Sequence, residues 1–108
     1  MKMFLTIIGL FISTLCFSQI QVIQFNANWN SANSVTWLNK LSDCKTGQVD
    51  IVTDKAAQAK YKIIVVPTII VFNQGEEVKR YQANIMMQID AKLEDIQTVV
   101  DETVMESF

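Results

Sequence analysis

The sequence predicts an α/β fold: a four-stranded mixed sheet flanked by three helices, in the order β-α-β-α-β-β-α. Three observations lead there. The run from Ile63 to Phe72 is apolar apart from Pro67 and Thr68, as a strand covered on both faces must be. Short β-branched runs alternate with segments of helical spacing, the pattern of strand–helix–strand units. Asn73-Gln74-Gly75, followed by Glu76 to Tyr81, reads as a tight turn into an antiparallel partner strand.

Taken in order, Gln19 to Phe25 alternates and is β-branched, so it is a strand. From Asn30 onward, Ala32, Val35, Leu38 and Leu41 recur every three residues, which predicts an amphipathic helix with Asn30 or Ser31 as its N-cap. Lys45-Thr46-Gly47 ends that segment, and Gln48 to Thr53 is the second strand. Asp54 is suited to cap a short helix over Lys55 to Tyr61. The third strand begins at or just after Pro67, which cannot donate a ladder hydrogen bond. Ile85, Ile89, Leu93, Ile96 and Val100 then form one helical stripe, so a long C-terminal helix is expected, with Met86 and Met87 packing beside it. Trp37 lies off the main stripe of the first helix, either under the C-terminal helix or half exposed. The first two strands, joined through a helix, should be parallel with a right-handed crossover. Central burial belongs to the first and third strands.

Composition narrows the function more than it reveals it. With 50% hydrophobic and 19% charged residues in 108, the chain is neither disordered nor collagen-like, and it has room for one small domain. The net charge of −2 comes without a basic patch, so no nucleic-acid partner is expected. There is no histidine, which removes the commonest general base and metal ligand. Two cysteines cannot build a structural zinc site, and neither a metal nor another cofactor is expected.

Residues 1–18 read as a secretory signal peptide. Met1-Lys2-Met3 is a short positive start, and Phe4 to Phe17 is a mainly apolar run. As a helix that run rises about 21 Å, short of the roughly 30 Å hydrocarbon core. Cys16 and Ser18 stand three and one before Gln19, which places cleavage between Ser18 and Gln19. An uncleaved anchor is the alternative. The mature domain, 19–108, is then secreted or periplasmic, touches a membrane only through the signal segment, and keeps Cys44 as its one thiol. That thiol is either buried and inert or reactive towards another chain.

Phe25-Asn26-Ala27-Asn28-Trp29-Asn30-Ser31-Ala32-Asn33 after the first strand, Tyr61-Lys62-Ile63-Ile64-Val65-Val66-Pro67-Thr68 before the third, and the hairpin Val71 to Glu76 together resemble the thioredoxin family. The family reads Phe-x-Ala-x-Trp-Cys-x-x-Cys at the first place and Tyr-x-Ile-x-x-Ile-Pro-Thr at the second. The match spans nearly all of 20–105 and starts at the family's central strand, which implies a minimal thioredoxin-like fold.

The same resemblance implies that Asn30 and Asn33 occupy the positions of the catalytic cysteines, and Gln24 that of a buried acid. Dithiol exchange needs a low-pKa thiolate and a resolving thiol, and an amide supplies neither, so the chain is expected to be redox-inactive, with no catalytic residue. For Asn30 the expected role is helix capping, and for Asn33 a surface position on the first helical turn. Pro67 matches the family's cis-proline, implying a groove of Trp29, Val66, Pro67 and Thr68 with free backbone groups for an extended peptide or protein partner. Two alternatives stand beside this binding module: a thiol-disulfide oxidoreductase working through Cys44 or a partner's thiol, and an interaction subunit docking through its helices.

Overall fold

A computed structural model describes residues 19–106; the expected signal segment lies outside the described residues. The chain forms β1 (Ile20–Asn26), β2 (Lys45–Asp50), α1 (Lys55–Tyr61), β3 (Thr68–Asn73), β4 (Glu76–Gln82) and α2 (Leu93–Glu106), with 3₁₀ segments at Asn28–Asn33 and Leu38–Lys40 between the first two strands. The four strands lie in the order β2-β1-β3-β4. β1 and β2 are parallel, and the β1–β3 and β3–β4 pairs are antiparallel. This is the expected mixed sheet with β1 and β3 at its centre.

Period-2 alternation sorts the central strands onto two cores. Ile20 and Val22 of β1 join Ile69 and Val71 of β3 beneath Ile96 and Val100 of α2, with Val35, Leu38 and Leu41 packed alongside. Phe25, Ile70 and Phe72 face the other way, against Ile63, Val66 and the side of α1 that carries Ala57 and Tyr61. Phe25, Tyr61 and Phe72 meet there with ring centroids 5.2–6.5 Å apart. Both faces of β3 are covered, which is why its sequence is a continuous apolar run.

Three elements differ from the sequence reading. The first helix is two 3₁₀ segments rather than an α-helix. Apolar residues every three positions suit a 3.0-residue turn at least as well as a 3.6-residue one. The second strand is shifted towards the N-terminus, so Lys45-Thr46-Gly47 belongs to β2 rather than ending the helix. Gly47 fits because a Cβ there would lie 3.2 Å from Cδ1 of Ile23. The strand stops at Asp50, whose Oδ1 accepts from Val52 N at 2.9 Å and whose carbonyl accepts from Asp54 N at 2.9 Å.

The C-terminal helix begins at Leu93, not near Ile85. Asn84 closes a loop over the intended first turns: its Oδ1 accepts from Met86 N at 2.8 Å and from Gln88 N at 3.2 Å. Met87 takes a positive φ of 60°. Asp95 then fixes the helix start by accepting from Lys92 N at 2.8 Å, half of a capping box. Ile85 and Met86 are consequently exposed, and Met87 is 38% exposed, rather than packed. The short helix α1 is as expected, with Asp54 Oδ1 accepting from Ala57 N at 3.0 Å.

Candidate functional site

β1 ends, β3 begins and β4 ends at one edge of the sheet, because Phe25 and Gln82 both pair with Thr68. There the chain leaves β1 into the Asn28–Asn33 segment, whose N-cap is Ala27 without a side-chain hydrogen bond. Asn30 is not the cap. It is buried at 6% exposure and sits inside the segment with non-helical φ −110° and ψ 19°.

Asn30 instead centres an amide network. Its Nδ2 donates to Asn26 Oδ1 at 3.2 Å and to the Val66 carbonyl at 3.4 Å, while its Oδ1 accepts from Asn33 Nδ2 at 2.9 Å. Asn26 Nδ2 in turn donates to the Asn30 carbonyl at 3.1 Å and to Ser34 Oγ at 2.8 Å. Asn33 is half-buried rather than a free surface residue, and its Oδ1 accepts from Gln88 Nε2 at 3.5 Å. An asparagine side chain offers donors and an acceptor at once, so three of them tie β1, the 3₁₀ segment and the turn before β3 without a charge.

Gln24 is 1% exposed and completes the polar interior. Its Oε1 accepts from Val35 N at 2.8 Å, and its Nε2 donates to the Val35 carbonyl at 3.2 Å. The amide thus behaves as a peptide group pairing with Val35. An ionised carboxylate could satisfy only the first of these bonds.

The Val66–Pro67 peptide is cis. Val66, Pro67 and Thr68 are buried, and their main chain is largely engaged: Asn30 holds the Val66 carbonyl, and Ala83 N donates to the Pro67 carbonyl at 3.1 Å. Thr68 Oγ1 donates to the Val65 carbonyl at 2.7 Å. The accessible groups around this turn are side chains, with Trp29 at 67% and Ile64 at 82% exposure. The sequence marks Trp29 but not Ile64 and Val65, because a continuous apolar run does not say which of its members lie ahead of the strand. Trp37 is half-buried against the α2-side core.

Cys44 lies just before β2, at the end of the β1–β2 pair opposite Asn26 and Asp50. Burial, reinforced by the carboxylates of Asp43 and Asp101, pushes its thiol up to about 11. A nucleophilic cysteine needs the opposite shift. Among the described residues there is no adjacent cysteine pair, and no group of three or more metal-ligating side chains. The network around Asn30 therefore holds shape and carries no nucleophile or general base.

This sheet order, with helical segments on both faces and the site at the end of β1, defines a thioredoxin-like fold. Solved structures bear it out. The chain is similar to a mutant thioredoxin from Halobacterium salinarum, with a TM-score of 0.61 at 18% identity, covering 81% of this chain and 76% of that one. It is similar to Schistosoma mansoni thioredoxin at 0.58 and 21%, covering 87% of each. Fasciola hepatica thioredoxin gives 0.53 and 24%, covering 83% of each. No family model and no curated protein matches the sequence.

Proposed function

We propose that this chain is an exported thioredoxin-fold binding module that has given up dithiol chemistry. In this reading Asn30 and Asn33 stand where the fold's redox-active members carry their cysteines, and Gln24 stands where they carry a buried acid. The partner, an extended peptide or protein segment, docks over the turn of Val66, Pro67 and Thr68 beside Trp29. Export rests on the signal-like residues 1–18.

The observation that carries the proposal is the pairing of a chemically inert interior with an open apolar rim. Asn30 is buried in an amide network, while Trp29, its neighbour in the chain, is 67% exposed. A large aromatic left in water next to a fixed turn is a binding anchor more readily than a packing element. The raised Cys44 thiol, at the other end of the β1–β2 pair, weighs against the oxidoreductase alternative.

Panning a random peptide library against the protein tests this. The reading expects enriched clones that bind the wild type and fail on Trp29→Ala. Clones that ignore that substitution, or no enrichment over an unrelated domain, would refute it.

A further inference from the structure

Among the described residues β2 pairs with β1 alone, so it forms one edge of the sheet. Ile51 N donates to the Asn26 carbonyl at 3.0 Å, which directs the main chain of Gly47 and Val49 towards β1 as well. Direction alternates along a strand, so Thr46, Gln48 and Asp50 turn their N–H and C=O groups to the open edge. The opposite edge is guarded. There β4 carries Glu76, Glu77, Lys79 and Arg80, and its pairing with β3 has a register shift at Val71/Phe72, devices that discourage edge-to-edge pairing. β2 keeps an unbroken register with β1, and its central stretch from Thr46 to Val49 is uncharged. We propose that β2 pairs antiparallel with β2 of a second copy of this chain, centred on Gln48, so that the two four-stranded sheets continue into one.

The edge is complementary to itself in that register. A two-fold axis between antiparallel strands sets one residue opposite its own copy. With Gln48 on the axis, the two Gln48 backbones exchange N–H and carbonyl hydrogen bonds. Thr46 then stands opposite Asp50 of the second copy on either side, hydroxyl facing carboxylate. On the α1 face, Val49 of the second copy comes opposite Gly47. Cδ1 of Ile23 lies over that glycine, 3.2 Å from where a Cβ would stand. Ile23 and Val49 are both half-buried and belong to the α1-side core, so their meeting covers apolar surface. Like charges stay apart: the two Asp50 are four positions out of register and the two Lys45 six, about 14 and 20 Å at ~3.4 Å per residue. Centring on Gly47 would instead set Asp50 opposite Cys44, beside which Asp43 and Asp101 already stand. Centring on Val49 would bring the two Asp50 carboxylates within two positions of each other on one face, which is unfavourable. An edge this short covers less than the ~800 Å² per partner of a standard interface, so the association is weak, with a dissociation constant on the order of 0.1 mM.

Sedimentation equilibrium of the purified protein from about 10 μM to about 1 mM is expected to show a mass rising from one chain towards two. Gln48→Lys sets like charges opposite each other on the axis and is expected to weaken the association at least tenfold. Its thermal midpoint should match the wild type, because Gln48 is exposed. In a Cys44→Ser background, Gln48→Cys is expected to give a disulfide-linked dimer under oxidising conditions. The Cα atoms of a directly opposed hydrogen-bonded pair lie about 5.5 Å apart, within disulfide reach. Thr46→Cys in the same background, with its two copies about 14 Å apart along the strands, is expected to stay unlinked. A protein that remains monomeric throughout that range would overturn the proposal, as would an association that Gln48→Lys leaves intact. Cross-linking of Thr46→Cys as readily as Gln48→Cys would overturn it too. An association lost in Trp29→Ala but kept in Gln48→Lys would move the contact to the Val66–Thr68 turn, with the same consequence.

Discussion

Replacing Gln24 by glutamate changes one donor into an oxygen and should convert a silent core position into a pH-dependent one. The side chain is 1% exposed and pairs with both the N–H and the carbonyl of Val35. A protonated carboxyl can still serve both, accepting from the N–H and donating to the carbonyl. An ionised one faces the Val35 carbonyl with two lone-pair-bearing oxygens, and it carries a charge into the core. The folded state therefore retains the proton, and the folded pKa is raised above the unfolded value of about 4.3.

Stability is consequently intact below pH ~4.3 and falls as the unfolded chain ionises while the folded one does not. The loss accumulates at about 1.4 kcal/mol per pH unit until the folded group itself titrates. A folded pKa at or above 7, within the range of documented buried carboxyls, makes the loss about 4 kcal/mol at neutral pH. For a domain whose whole stability is on the order of 5–15 kcal/mol, that is a large fraction. Urea denaturation of Gln24→Glu and wild type at pH 4, 5.5 and 7 reads this directly. The difference should be small at pH 4 and widen with pH. A difference that is the same at all three pH values would refute the pairing argument.

Other substitutions follow the same logic. Asn30→Ala strands the donor of Asn33 and the Oδ1 of Asn26, and should cost about 2–3 kcal/mol by urea denaturation, whereas Asn33→Ala, half-buried, should cost under about 1 kcal/mol. Ile96→Ala removes a side chain with no exposed surface beneath α2 and should cost about 2–5 kcal/mol. Asp54→Ala should cost about 1 kcal/mol through the loss of the α1 cap. With its thiol near 11, Cys44 should be alkylated by iodoacetamide slowly at neutral pH, with a rate still climbing between pH 9 and 10.5; a plateau by pH 9 would contradict the burial argument.

The sheet was legible because its signals are local and mutually consistent. The apolar run into β3, the Gln74-Gly75 turn and the Asp54 cap each demand one structure whatever surrounds them. Helical spacing was less secure. The three-residue rhythm of Ala32, Val35, Leu38 and Leu41 fits a 3₁₀ turn as well as an α-helix, and only Ile89 onward in the C-terminal stripe reaches the core. Ile85 kept the spacing, but Asn84 offered the backbone an alternative set of hydrogen bonds, as asparagine does.

At the candidate site, residue type pointed Asn30 towards capping, and nothing local could announce that Val66, distant in sequence, would lie over it. Gln24 gave a clearer signal. It follows Ile20 and Val22 on the inward side of β1, where a polar residue must find partners. The exposure of Ile64 is a tertiary fact with no local trace, since the same residue within a strand would have been core, whereas that of Ile85 and Met86 follows from the turn that Asn84 closes.

Absence of thiol-disulfide turnover is the property that a binding scaffold of this fold must show most directly. The purified protein should reduce insulin disulfides in the presence of dithiothreitol no faster than dithiothreitol alone, and Cys44→Ser should behave identically. Turnover above that background which disappears in Cys44→Ser would make Cys44 a working thiol and contradict the reading of this fold as a binding scaffold.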